Sequence, residues 1–257
     1  MNNLRFEPGH PGYYVILAVV LFCATITVQA AAADDFFAQG LAAARAGQVP
    51  EAAIAFENST RKQIATGALD NLGIVQWQCG HAGAAVLAWE QARWIDPSDA
   101  RANNNLEFAR AVAQLDEPQL KWFEITSTWL PANAWAWMTG AGLWLAAAAL
   151  VLPGVFRRRR AGWHEALAAM GFIVFLFSLT MNYGVISRMQ IGFVVKKDAP
   201  LLLTPTHEGE VMFTLTAGKP ARELRARGDY FLIRTDLGTG WIKRNEFGLI
   251  CPPPPAN

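Results

Sequence analysis

Cysteine and histidine are scarce in this chain, three of the first and four of the second among 257 residues. Metal centres and thiol or imidazole catalysts draw on those residue types, and the few present form neither a paired CxxC nor an HExxH arrangement. There is also no glycine-rich phosphate loop and no G-x-S-x-G elbow. His207-Glu208-Gly209-Glu210 reads as a polar turn. A protein that is not an enzyme, with no cofactor and no metal, is therefore expected, although a triad assembled from distant residues leaves no local signature. Excess charge is missing too. The formal net charge is +1, which argues against a nucleic-acid partner.

Charge is absent altogether from two long stretches. Ala134 to Phe156 is 23 residues without an ionisable side chain, and Ala166 to Ser187 is similar. At about 1.5 Å per residue, a helix of that length clears a hydrocarbon core of about 30 Å. Backbone polar groups in lipid are satisfied by helices or closed barrels, so the two runs predict a transmembrane helical hairpin over 134–187. Its loop, 157–165, carries Arg157, Arg158, Arg159 and Arg160. Cationic loops stay in the cytoplasm, which predicts a two-pass inner-membrane protein with both flanking modules outside. With no acid or base inside either run, a transporter or intramembrane catalyst is not expected.

The amino terminus supports the same orientation. Tyr14 to Val28 has the length of a signal-peptide core, and the small residues Gln29 to Ala33 follow it, so residues 1–33 read as a signal peptide. An uncleaved anchor would leave the same module outside. Phe22, ahead of Cys23, is too bulky for a lipid-attachment site. Nothing in the sequence brings Cys79 and Cys251 together, so no disulfide between them is expected. Asp34 to Leu130 carries 12 acids and 7 bases, whereas Arg188 to Asn257 carries 10 bases and 7 acids. The two external parts can attract one another or different partners.

An internal repeat occupies 34–117. A constant offset of 33 residues places Gly40 on Gly73, Gly47 on Gly80, Ala52 on Ala85 and Phe56 on Trp89, a period that means stacked helical pairs. The second copy, with Leu69, Leu72, Gly73, Ala85, Trp89, Ala92 and Pro97, resembles the tetratricopeptide pattern. A further helix from Ala100 to Leu115, capped by Ser98 or Asp99, would cover the open end and complete a five-helix α-solenoid. The resemblance implies a partner-binding inner face made by Asp70, Ile74 and Trp77 with Arg101, Asn104 and Phe108. Asn71 stands where such proteins often hold an asparagine that bonds a peptide backbone. For Trp77 and Phe108 a place in the core is an equal alternative.

In the segment 118–133, Gln119 to Pro131 reads as a short amphipathic helix at the bilayer surface, with Trp122, Trp129, Trp135 and Trp137 as an aromatic belt. Within the hairpin, Gly140, Gly142, Ala146, Gly171, Ser178 and Asn182 offer small or hydrogen-bonding faces for helix packing. Beyond it, over 190–251, the pattern changes to alternation. Five short strands are predicted, at Pro200 to Leu203, Val211 to Leu215, Ala221 to Arg225, Tyr230 to Arg234 and Gly240 to Lys243. The run from Asp229 to Arg234 with Gly240-Trp241-Ile242 resembles the bacterial SH3-like domain, which implies a small β-barrel with Tyr230 and Trp241 as candidate peptide-binding aromatics. The tail, 252–257, is proline-rich and expected to be polyproline II.

In this order, the modules resemble the BatE type of protein from the Bacteroides aerotolerance operon, with Asn71-Leu72-Gly73, Ala92 to Pro97 and Asn105 to Arg110 as the sharpest local pieces. That resemblance implies a scaffold in an envelope complex, with von Willebrand A domain membrane proteins and, indirectly, a MoxR-type ATPase as partners. Gln76 departs from the pattern, since an aromatic is common at that place. The fold class expected is multidomain, α plus membrane plus β. Besides protein partners, the expected contacts are the lipid bilayer and, on the alternative reading of the barrel as a cell-wall adaptor, peptidoglycan peptides.

Overall fold

The computed structural model describes residues 33–155 and 161–251. Most of the signal segment, the four arginines Arg157 to Arg160 and the proline-rich tail lie outside the described residues. Five helices come first: α1 (33–45), α2 (Val49–Lys62), α3 (Thr66–Gln78), α4 (Ala82–Ile95) and α5 (Ala100–Ala113). The ends of α1 and α3 are closed in the same way. Gly47 and Gly80 take φ of +73° and +78°, a left-handed conformation that glycine adopts without strain. The next amide then reaches back five residues, Gln48 N–H to the Ala43 carbonyl and His81 N–H to the Gln76 carbonyl, each at 2.9 Å. Pro50 opens α2, and the Asp99 carboxylate caps α5 by accepting the Arg101 amide at 2.9 Å.

The 33-residue offset recurs as a packing contact. A Cβ added to Gly40 would lie 2.6 Å from the Phe56 ring, and one added to Gly73 would overlap the Trp89 indole. Phe56 and Trp89 are both buried. Each glycine is thus the floor on which the aromatic of the following helix rests, and the helical repeat is a structural one.

A short helix, α6 (Trp122–Thr126), links this stack to two long helices, α7 (Ala132–Val155) and α8 (Gly162–Arg188). Both are long and apolar enough to cross a membrane. Their contact uses small residues: a Cβ on Gly142 would lie 2.8 Å from the Gly171 carbonyl oxygen, and one on Gly171 2.7 Å from the Ala146 amide. Asn182 Nδ2 donates to Thr139 Oγ1 at 2.8 Å, and Thr139 Oγ1 donates to Ser178 Oγ at 3.0 Å. Gly140 has nothing near it and takes no part in the seam.

Seven strands follow: β1 (Ile191–Val194), β2 (Ala199–Leu202), β3 (Val211–Leu215), β4 (Pro220–Arg227), β5 (Tyr230–Arg234), β6 (Thr239–Lys243) and β7 (Phe247–Leu249). They form one antiparallel sheet in the order β3-β2-β6-β5-β4-β1-β7. Leu215 on one edge strand and Phe247 on the other belong to the same buried cluster as Leu201, Ile233 and Ile242, so the sheet curls around a single core. Its first strand also serves a second one. Ile191 and Phe193, with Ile250, pack among Val86, Trp89 and Leu106 of the helical stack. Gly83 on α4 lets the Val194 and Val195 backbone carbonyls approach, and Gln91 Nε2 donates to the Leu249 carbonyl at 2.9 Å. The sheet therefore covers one side of α4.

Candidate functional site

With that side covered, α3 and α5 keep an open face. On α3, Asp70, Ile74 and Trp77 fall at i, i+4 and i+7, one stripe of a helix; on α5, Arg101, Asn104 and Phe108 fall at i, i+3 and i+7, again one stripe. The stripes meet at both ends. Arg101 Nη2 stands 3.5 Å from Asp70 Oδ2, and the Trp77 and Phe108 rings meet edge to face with centroids 5.9 Å apart. Phe108 is 55% exposed and Ile74 39%, while Trp77 is half-buried against Trp89. Trp77 thus joins core to surface and Phe108 is a surface aromatic.

Two residues of this group are placed differently from a peptide-binding role. Asn71 Nδ2 donates to the Gly67 carbonyl of its own helix at 2.8 Å. Asp70 is 1% exposed, and among the described residues Arg101 is its one ion-pair partner, at 3.5 Å. Burial, then the Asp99 carboxylate beside it, push its pKa up to about 6, against a smaller opposing pull from Arg101.

In the sheet, Tyr230 faces the same side as Trp241, since Leu232 lies opposite Trp241 and Lys243 opposite Tyr230. Tyr230 is buried with its hydroxyl unpartnered, and the His207 ring packs edge-on at 6.3 Å. It does not line an open groove. Trp241 is half-buried and sits across from Leu202 on β2.

A charged junction that sequence reasoning did not find ties the modules together. Glu124 on α6 is fully enclosed. It accepts Arg222 Nη2 from β4 at 2.7 Å, the Lys121 amide at 2.8 Å and the Ser187 hydroxyl from the end of α8. Burial works to raise its pKa, but the Arg222 and Ser187 hydrogen bonds and the Lys121 amide outweigh that and hold it below the usual carboxylate value. On the stack side, buried Glu90 takes Arg93 on one oxygen and Arg110 on the other, both at 2.7 Å. Arg188, the last residue of α8, donates from Nε to Ser127 Oγ at 2.9 Å and lies over the Trp94 ring at 5.0 Å. Further out, Lys219 on the turn before β4 bridges Asp116 at 3.3 Å and Asp236 at 2.9 Å. Burial opposes its charge, yet the two acids outweigh this and raise its pKa.

The interfacial segment is corrected by the same contacts. Only Trp122–Thr126 is helical within Gln119 to Pro131, and Glu124 within it points inward to Arg222. Trp122, Trp129 and Trp137 are exposed, but Trp135 is buried and donates its Nε1–H to the Ser127 carbonyl at 3.1 Å. The belt therefore lacks Trp135. The topology-setting residues Arg157 to Arg160 lie outside the described residues. Comparison with family models, curated proteins and solved structures finds no match to this chain.

Proposed function

We propose that the protein is a membrane-anchored scaffold that binds partner proteins on the open face of α3 and α5. One observation carries this reading: the exposed strip of Ile74, Phe108, Arg101 and Asn104 around Trp77, on a stack whose α4 side is already sealed by the protein's own sheet. An apolar patch rimmed by polar side chains is what protein-binding surfaces present. On this reading the stack is of the tetratricopeptide type and the curled sheet is SH3-like. The chain is not an enzyme, and α7 and α8 cross the inner membrane with Arg157 to Arg160 in the cytoplasm and both modules on the envelope side. Large apolar residues such as Trp144, Leu152, Phe172 and Ile173 face outward on α7 and α8, as lipid contact requires. A place in a BatE-like complex, beside von Willebrand A domain proteins and a MoxR-type ATPase, fits such a scaffold. Cell-wall binding through Tyr230 and Trp241 has less support, because Tyr230 is enclosed.

A pull-down of the full chain in mild detergent tests the reading. Asn104→Ala combined with Phe108→Ala should lose the partners that wild type retains, because exposed aromatics of such strips anchor binding by about 2 kcal/mol or more. Retention of the same partners in the same amounts would contradict it.

A further inference from the structure

Arg188 is 7% exposed, and among the described residues no carboxylate lies within ion-pair distance of it. Its guanidinium has five N–H donors. Two of them go to Ser127, from Nε at 2.9 Å to the hydroxyl and from Nη2 at 3.2 Å to the carbonyl. The other three have no acceptor among the described residues. Trp94, 5.0 Å away, supplies its ring face. A charge removed from water without a counter-charge is costly, and the acids that face the same cleft already hold other arginines. Glu90 is already engaged by Arg93 and Arg110 at 2.7 Å each, and Arg110 also holds Glu117 at 2.9 Å.

These groups surround a cleft of about 270 Å³, against about 30 Å³ for one water in the liquid. The helical stack forms one wall, α6 with its following turn a second, and Ile191, Phe193 and Ile250 a third. The charged side chains facing it are Glu90 and Arg93 from α4, Arg110 from α5, Glu117 from the linker and Arg188 from α8. Three cations against two acids leave an excess of one positive charge, in a space that apolar side chains such as Trp94, Leu120 and Phe193 help to line, where such a charge is less screened than in open water.

We propose that this cleft is a binding site for a phosphate-type oxyanion, held by Arg188 and Arg93. Guanidinium groups match phosphate oxygens with paired N–H donors, and two arginines arriving from different helices suit a tetrahedral group with several oxygens. The cleft adjoins the carboxyl end of α8, the level at which the phosphates of a lipid leaflet would lie if α8 spans the membrane. The anion has two sources, a phospholipid headgroup or soluble phosphate.

Calorimetric titration of the full chain in a neutral detergent distinguishes them, using inorganic phosphate in one arm and short-chain phosphatidylglycerol in the other. Saturable binding at one site per chain is expected in at least one arm: phosphatidylglycerol alone identifies the lipid source, phosphate alone the soluble one, and both show that the oxyanion suffices. Arg93→Gln, at a half-exposed position, should weaken binding by about tenfold. Glu90→Gln should strengthen it by roughly threefold at low salt, since it releases two guanidinium groups from competition. No saturable binding of either probe at millimolar concentration would overturn the proposal, as would binding that Arg93→Gln leaves unchanged.

Discussion

Glu124→Ala should cost about 3–5 kcal/mol of stability, the effect of removing one partner from a buried ion pair. The loss leaves Arg222 without its carboxylate and leaves the Lys121 amide and the Ser187 hydroxyl without their acceptor. Three segments then lose the carboxylate on which they converge: the α6 turn, the end of α8 and strand β4. Arg222→Ala should cost a comparable amount, because it strands a fully enclosed carboxylate. The double variant should cost clearly less than the sum, since it removes both the pair and the unpaired charge. Glu117→Ala is the contrast. Its carboxylate is 71% exposed in the pair with Arg110, and its loss should stay within about 1 kcal/mol. Denaturant titration of the full chain in detergent measures all four. Because the folded Glu124 pKa lies below its unfolded value, its contribution is present above the unfolded value and is lost as pH falls through the folded one.

The second large effect has the opposite sign. Asp70→Asn should stabilise the protein at pH 7.5 by about 2–3 kcal/mol, the scale that a pKa raised to about 6 sets. The Asp70 pKa rises from the ordinary 3.8 to about 6, so the folded state holds a proton that the unfolded state releases between those values. Stability from this group is present below its unfolded pKa and disappears as pH rises through about 6, leaving a buried carboxylate whose ion pair with Arg101 is long. Asparagine keeps the shape and drops the charge. The advantage of the variant should shrink as pH falls and vanish near pH 4, which thermal melts of both proteins across that range would record. An advantage independent of pH would show that charge is not the cause. Arg101, 67% exposed in its pair with Asp70, contributes too little to reverse the sign.

Patterns confined to one segment were legible in the sequence. The 33-residue offset appears as the paired turns at Gly47 and Gly80 and as two glycine floors under Phe56 and Trp89. The long helices follow from uncharged length. Strands β2, β3, β4, β5 and β6 follow from alternation and from turn residues between them. Strand β1 was hidden because all four of its residues are buried, so it does not alternate, and because only Met189 and Gln190 separate it from α8. Strand β7 is three residues long and follows a tight turn of 3-10 helix.

Contacts between distant segments left only the opposite charge balance of 34–130 and 188–257 as a trace, with no pairing of residues. Glu90, Arg110, Glu124, Arg188 and Arg222 come from five elements, and in sequence each reads as an ordinary surface charge. Glu124, among Trp122, Phe123 and Ile125, satisfies the period of an interfacial helix while its carboxylate points the other way. The docking of β1 on α4 is equally silent, since Val86 and Leu106 would be buried by any neighbour. That docking nevertheless decides which face of the stack is open, and so which residues can meet a partner.

The most direct test is photo-crosslinking in intact cells, with a benzophenone side chain placed at Phe108 on the open face or at Ile54, an apolar residue of α2 that is 61% exposed. The scaffold reading predicts discrete protein adducts from position 108 and none from position 54. Equal capture at both positions, or none at position 108, would contradict it.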